Sequence, residues 1–291
     1  MSHPKITLLG TGLMGAPMAR NIAAAGFDLT VWNRTAAKAQ ALEDAGITVA
    51  PDVAAAVAGA DTVISMLSDG PSSLAMLADA LPHVPPGALW IDMASTKPAE
   101  ARAMADTAAT QDVAFLDAPV SGGTKGAEGA TLAIMVGGAL ADVARAQPLL
   151  ASMGRPVHVG PTGAGQLAKL CNQAIVAITI GAVAEATLLA TQGGADPAAL
   201  RAALKGGFAD SIILQQHGTR MSTRDFVPGG RASVQVKDLD NILAEADALD
   251  LTLPMAAQAR DRFAHLAGPM GQGDADHAAL YLELLARNGL T

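Results

Sequence analysis

Ile6-Thr7-Leu8-Leu9-Gly10-Thr11-Gly12-Leu13-Met14-Gly15 runs from an apolar stretch through three spaced glycines into an Ala-rich helical pattern. Each glycine answers a separate physical need. Gly10 permits a tight turn at the end of a strand, and Gly12 lets the main chain approach a pyrophosphate. Gly15 lets the following helix pack close on the strand. The first helical turn, which Leu13 and Met14 lead into, offers main-chain N–H groups to phosphate oxygens. Three glycines alone carry little weight in a chain that has 30 of them. Their place between a first strand and a first helix makes them a dinucleotide-binding loop.

Working outward from that loop, the next strand closes on Trp32-Asn33-Arg34-Thr35. A site selective for NAD places Asp or Glu here for the ribose 2′-hydroxyl, and such a carboxylate repels a 2′-phosphate. Arg34 instead supplies a fork-shaped guanidinium suited to phosphate, with Asn33 and Thr35 as neutral donors beside it. The expected cofactor is therefore NADP(H) in preference to NAD(H). The competing reading makes Arg34 a solvated residue at a strand end.

The first 160 or so residues alternate short apolar runs with helical stretches. Residues 6–9, 29–32, 62–67, 89–93 and 114–116 read as strands, and 133–136 and 157–159 add two more. Residues 14–25, 35–45, 53–58, 72–80 and 98–111 read as helices. Strands with so few polar alternations belong to a parallel sheet covered on both faces. After Gly163 the texture changes to one helix from Gln166 to about Gln192, roughly 40 Å long. From Pro197 onward only helical segments follow, broken at Gly206-Gly207, Pro228-Gly229-Gly230, Pro254 and Gly268-Pro269. The expected architecture is α/β: a Rossmann-type, doubly wound sheet over residues 1–163, then an all-α domain over 164–291 with a long interdomain helix.

Composition narrows the function. With 51% hydrophobic and 16% charged residues the chain folds rather than stays disordered. Aromatic residues are 3% and the formal net charge is −8, which argues against base-stacking platforms and phosphate-backbone partners. Cys171 is the one cysteine, so no intrachain disulfide forms and the cytoplasm is the expected compartment. Met1-Ser2-His3-Pro4-Lys5 lacks the charge-then-apolar pattern of a signal peptide. No charge occurs between Lys169 and Glu185, yet Asn172 and Gln173 open that stretch. It reads as a buried helix of a soluble protein, not as a membrane span.

Two further constellations carry chemistry. Asp117-Ala118-Pro119-Val120-Ser121-Gly122-Gly123 follows a strand, and the paired glycines expose N–H groups able to hold a carboxylate. Gly163-Ala164-Gly165 opens the long helix, and Lys169 sits one turn inside it. Asn172 and Gln173 stand three and four residues on, along the same face. A Lys with two amides in an otherwise apolar helix is a polar island at the domain junction. The six histidines, at 3, 83, 158, 217, 265 and 277, show no metal-ligand spacing, and no metal is expected.

Taken together these motifs resemble the β-hydroxyacid dehydrogenases, the family that includes 3-hydroxyisobutyrate dehydrogenases and tartronate semialdehyde reductases. The resemblance spans the chain: the glycine loop with Met18 and Asn21, the stretch Asp117 to Gly123, the stretch Gly163 to Gln173, and Lys237-Asp238-Leu239. It implies that Lys169 is catalytic and that Ser121, Gly122 and Gly123 bind substrate. It also implies that Met66, Leu67, Ser68, Thr96 and Lys237 line the nicotinamide half of the cofactor. Hydroxyisobutyrate dehydrogenases typically carry Asn where this chain has Gln173. The tartronate semialdehyde reductases are similar to it there, at Gly206-Gly207-Phe208-Ala209, at His217-Gly218 and at Asp276-His277.

The implied reaction is hydride exchange between the nicotinamide and the carbonyl carbon of a short β-oxo acid. Lys169 acts as proton donor or acceptor, Ser121 and the Gly122 and Gly123 amides hold the carboxylate, and Asn172 and Gln173 orient the Lys or the substrate hydroxyl. The implied partner is a small carboxylate-bearing aldehyde or alcohol, and the family implies a homodimer or homotetramer. Alternatives within the family are 3-hydroxyisobutyrate dehydrogenase and glyoxylate or succinic semialdehyde reductase. Outside it stands a non-catalytic NADPH-binding sensor or scaffold.

Overall fold

A computed structural model describes residues 4–291; Met1, Ser2 and His3, and so the start of the N-terminal stretch and one of the six histidines, lie outside the described residues. The chain forms two compact units that divide between Lys169 and Leu170. In chain order the first unit contains β1 (Lys5–Leu9), α1 (Gly15–Ala24), β2 (Asp28–Trp32), α2 (Ala36–Gln40), β3 (Thr48–Val49), α3 (Val53–Val57), β4 (Thr62–Ser65), α4 (Gly70–Ala80) and β5 (Leu89–Asp92). It continues through α5 (Pro98–Ala109), β6 (Ala114–Asp117), β7 (Val120–Ser121), α6 (Gly123–Glu128), β8 (Leu132–Gly137), α7 (Leu140–Ala151) and β9 (Gly154–Gly160). Helix α8 (Ala164–Gln192) runs through the division, and α9 (Pro197–Leu204), α10 (Ile212–Thr223), α11 (Ala232–Ala248), α12 (Pro254–Ala267) and α13 (Leu280–Arg287) follow.

The sheet is ordered β3-β2-β1-β4-β5-β6-β8-β7, with β9 paired to β8. The pairings among β1 to β6 are all parallel, which is the doubly wound dinucleotide-binding order. Successive strand residues feed opposite faces. Leu89 and Ile91 join one buried cluster with Ile6, Leu8 and Ile64, whereas Trp90 joins another with Val63, Leu77 and Met104. Both faces are therefore covered, as the unbroken apolar strands require.

Two readings are corrected. The sheet is not wholly parallel: β8 runs antiparallel to β6 and β7. The chain reverses there through Gly122, at φ 141°, and Ala130, at φ 53°. Residues 123–128 form helix α6, an element the sequence pattern did not assign. The helix read at 35–45 stops at Gln40 and resumes as a single 3-10 turn, Glu43–Ala45. The short strands β3 and β7 and the helix α7 were not expected from the sequence pattern.

In the second unit no extended strand occurs among the described residues, only an isolated bridge between Arg231 and Asp276. Helix α8 is long and apolar enough to cross a membrane by length and composition, with mean hydropathy 1.9 over its most apolar window. Its Leu170, Ala177, Ile180, Val183, Ala184 and Leu188 are instead core residues, packed with Met221, Leu239, Phe263 and Leu280. Only 33% of that window is buried, however. Ile175 and Leu189 are 65% and 77% exposed, so the helix is less covered than a buried core helix.

Candidate active site

The glycine loop joins β1 to α1 and shows why glycine stands at each position. Gly10 has φ 104°, and a Cβ there would collide with Met66 O. A Cβ on Gly15 would strike Gly10 O, while one on Gly12 would meet nothing within 4 Å. Gly12 thus fronts open space that a bound group can fill. Among the described residues no side chain caps α1, and its first turn holds no carboxylate, which leaves the positive end of the helix for an anion.

A cleft of about 960 Å³ opens over this loop. It brings together Gly10, Gly12, Leu13, Met14, Gly15, Asn33, Arg34, Thr35, Met66, Leu67 and Ser68. Thr96, Ser121, Gly122, Gly123 and Lys169 belong to the same unit but do not line the cleft. Asn172, Gln173 and Lys237 belong to the second unit. Lys38 adds a cation to the lining. Its signal in the sequence is its place four residues after Arg34.

Asn33 is already engaged: its Oδ1 accepts the Thr11 N–H at 3.0 Å and its Nδ2 donates to Thr35 O at 3.0 Å. It ties the glycine loop to the end of β2. Two buried hydroxyls, Thr11 Oγ1 and Thr96 Oγ1, have no hydrogen-bond partner among the described residues. Buried polar atoms are rarely left so. A bound dinucleotide would answer them, its phosphates held by Gly12 and the start of α1 and a polar group of it by Thr96, so these residues fit such a cofactor.

The cleft wall rests on a buried carboxyl. Asp92, at the end of β5, accepts Ser65 Oγ at 2.7 Å and Ser73 Oγ at 3.0 Å. Those serines flank the Met66-Leu67-Ser68 segment. Burial pushes the Asp92 carboxyl up to about 7, against the pull of both serine hydroxyls. The folded chain then holds a proton that the unfolded chain releases near pH 4, so stability falls as pH rises from about 4 through 7. Asp92→Asn is expected to gain stability relative to wild type over that window, by at most about 1.4 kcal/mol per pH unit. Denaturant midpoints of both proteins at pH 5, 6, 7 and 8 check this; a constant difference would contradict it.

Ser121 ends β7, opposite Ala133 of β8, and Gly122 precedes α6. Lys169 is partly buried on α8. In the second unit Asn172 Nδ2 donates to Gln173 Oε1 at 2.8 Å, and Gln173 Nε2 donates to Asp238 Oδ2 at 2.6 Å. Lys237 Nζ lies 3.6 Å from Asp238 Oδ1. One arrangement has no counterpart in the spacing of the histidines along the chain: the fold brings ligand atoms of His217, Asp276 and His277 within 4.8 Å of one another. Asp276 is already answered by Arg220 at 3.2 Å and by N–H groups of Gly229, Gly230 and Ala278. Burial raises the Asp276 carboxyl, but His217 and those N–H groups hold it well below the usual range. Burial lowers His277 to about 4, so it is neutral at pH 7.

The fold and cleft define the class, a dinucleotide-dependent oxidoreductase on a Rossmann-type sheet. Two family models meet at residue 163: the NAD-binding domain of 6-phosphogluconate dehydrogenase matches residues 5–163, and the NAD-binding region of NADP-dependent 3-hydroxyisobutyrate dehydrogenase matches 163–284. The chain is 39% identical to the 2-hydroxy-3-oxopropionate reductase of Escherichia coli, over 98% of this chain and 99% of that one. It is 36% identical to the 3-hydroxyisobutyrate dehydrogenase of Pseudomonas aeruginosa, over 94% and 95%. The solved structure of Mycobacterium tuberculosis 3-hydroxyisobutyrate dehydrogenase with L-serine superposes with a TM-score of 0.89 at 33% identity, covering 97% of this chain and 99% of that one. The chain belongs to the β-hydroxyacid dehydrogenase family, in its 3-hydroxyisobutyrate dehydrogenase-like group, and is an NAD(P)-dependent enzyme.

Proposed function

We propose that this protein is an NADPH-dependent reductase of a short β-oxo acid, of the tartronate semialdehyde to glycerate type. The observation that carries the chemistry is where Lys169 is anchored. Asp117, at the carboxyl end of β6, accepts the N–H groups of Gly163 and Gln166 at 2.8 Å each. That fixes the opening of α8 at the strand ends from which the glycine loop, the Met66-Leu67-Ser68 loop and Thr96 also emerge. Crevices at that edge are where open α/β sheets bind ligands.

The bound cofactor supplies the hydride. Lys169 hydrogen-bonds the carbonyl oxygen and delivers a proton to it as charge develops there. Ser121 and the Gly122 and Gly123 N–H groups hold the substrate carboxylate, which decides which carbon faces the cofactor. Asn172, held by Gln173 and through it by Asp238, orients the substrate hydroxyl. Gln173, where hydroxyisobutyrate dehydrogenases typically have Asn, favours tartronate semialdehyde over 3-hydroxyisobutyrate, and identity to the reductase of E. coli supports the same choice. Residues 1–163 are read as the NADP-binding domain and 164–291 as the all-α substrate and oligomerisation domain. The exposed Ile175 and Leu189 of α8 support a homo-oligomer.

NADPH consumption against a panel of tartronate semialdehyde, glyoxylate, succinic semialdehyde and methylmalonate semialdehyde tests the reading. The first is expected to give the highest kcat/KM, and no turnover with any of them would reduce the protein to a nucleotide binder. Ser121→Ala is expected to impair acids more than their esters or amides, by at least about tenfold, the scale of a lost hydrogen bond to a charged group. Equal losses for charged and neutral substrates would remove the carboxylate from Ser121.

A further inference from the structure

The side chain of Gln166 has no part in the reading above, yet the residue is fully buried, at 0% exposure. Both ends of its amide are spent on one loop. Oε1 accepts the Thr96 N–H at 3.0 Å, and Nε2 donates to Ala94 O at 2.8 Å. Its own main-chain N–H is held by Asp117 Oδ2 at 2.8 Å. The surroundings cannot slide: a Cβ on Gly165 would stand 2.6 Å from Asp117 O and 2.8 Å from Asp117 Oδ2. A Cβ on Gly137 would stand 2.7 Å from Gly165 N. Loop 94–96, the end of β6 and the first turn of α8 are locked together at one buried amide.

The two residues this lock joins are those with chemistry assigned to them. Thr96 is itself buried, 5% exposed, and its hydroxyl has no partner among the described residues. Lys169 follows Gln166 by three residues, about 4.5 Å further along the same helix. A fastener needing only to fill space would be apolar here. Gln is the side chain of this length that presents a donor and an acceptor in one plane without charge. We propose that Gln166 is a positioning residue, a strut that sets Thr96, beside the nicotinamide, against Lys169, at the substrate oxygen. The inference rests on those two assignments. Misplacement of reacting groups by about 1 Å costs about 10²-fold in rate, so the strut acts on turnover rather than on cofactor affinity.

The test uses Gln166→Met, close in volume but without donor or acceptor, and Gln166→Glu, which keeps an acceptor for Thr96 N–H and loses the donor to Ala94 O. Turnover is measured at saturation with NADPH and with NADPH deuterated at the transferred position, and NADPH binding by fluorescence. Gln166→Met is expected to lose about 10- to 10²-fold in kcat, with a larger deuterium isotope effect on kcat and a Kd for NADPH within about threefold of wild type. Gln166→Glu is expected to lose less. A purely structural fastener would lower the melting temperature and leave kcat and the isotope effect of the folded enzyme unchanged, and that result overturns the proposal. A loss confined to the Kd for NADPH overturns it as well. Should Gln166→Met fail to fold, Gln166→Glu decides alone, by the same two readings. The fate of Lys169 is separate: near-normal turnover of Lys169→Ala removes the proton donor whatever Gln166 does. An inactive Lys169→Ala beside a normal Gln166→Met removes only the strut.

Discussion

Lys169→Ala is expected to lower kcat by at least about 10²-fold, the usual scale for losing a positioned proton donor. The hydride arrives from the cofactor, so the protein's contribution to the bond-making step is the proton and its placement. Lys169 follows a turn whose N–H groups are tied to Asp117, so its main chain has little freedom. Cofactor affinity is expected to change by less than about twofold, because Lys169 is not among the residues lining the cleft. Lys169→Arg is a sharper probe. It keeps the positive charge and can still hydrogen-bond the carbonyl oxygen, but it does not give up a proton in a protein. Its kcat is expected to stay close to that of Lys169→Ala. Steady-state kinetics at saturating substrate with a parallel NADPH titration checks both variants. Near-normal kcat in the alanine variant would take Lys169 out of the mechanism.

The fold class was readable because β1, β2, β4, β5 and β6 each carry a short, mostly apolar run, and because three glycines mark the first turn. The antiparallel β8 was not readable. Its residues Leu132 to Gly137 look like any buried strand, and direction is set by the reversal through Gly122 and Ala130, which adjoins the two-residue strand β7. The cleft's main lining was legible from local pattern, since Gly10 to Gly15 and Asn33 to Thr35 are contiguous motifs. Lys38 was passed over although it stands four residues after Arg34, because a Lys on an Ala-rich helix is ordinarily a solvated residue. Gln166 and Asp117 were hidden for a different reason. Their meaning lies in partners 46 to 72 residues away in sequence, and no spacing within a helix or strand encodes those. The same holds for His217 with Asp276 and His277, where tertiary packing alone assembles the group.

Wild type is expected to prefer NADPH to NADH by at least about tenfold in kcat/KM, roughly 1.4 kcal/mol, the worth of one modest charge-assisted contact. Arg34 and Lys38 both line the cleft, and the end of β2 carries no carboxylate to oppose a 2′-phosphate. Both cations are exposed, so the preference is expected to shrink as ionic strength rises toward about 0.5 M, where exposed charges are strongly screened. Arg34→Ile alone is expected to weaken NADPH without improving NADH, since nothing new meets the ribose. Adding Asn33→Asp supplies an acceptor for the 2′-hydroxyl and a charge that repels phosphate. The glycine loop survives this change, because a carboxylate oxygen at position 33 still accepts the Thr11 N–H now bound to Asn33 Oδ1. The double variant is expected to reverse the preference, chiefly through cofactor KM, and Lys38→Ala on top of it is expected to widen the reversal. Cofactor kinetics of the series at low and high salt decide the matter. Equal use of both cofactors by wild type would make Arg34 a solvated residue, and a reversal carried by kcat rather than KM would mean that the substitutions reach the hydride step.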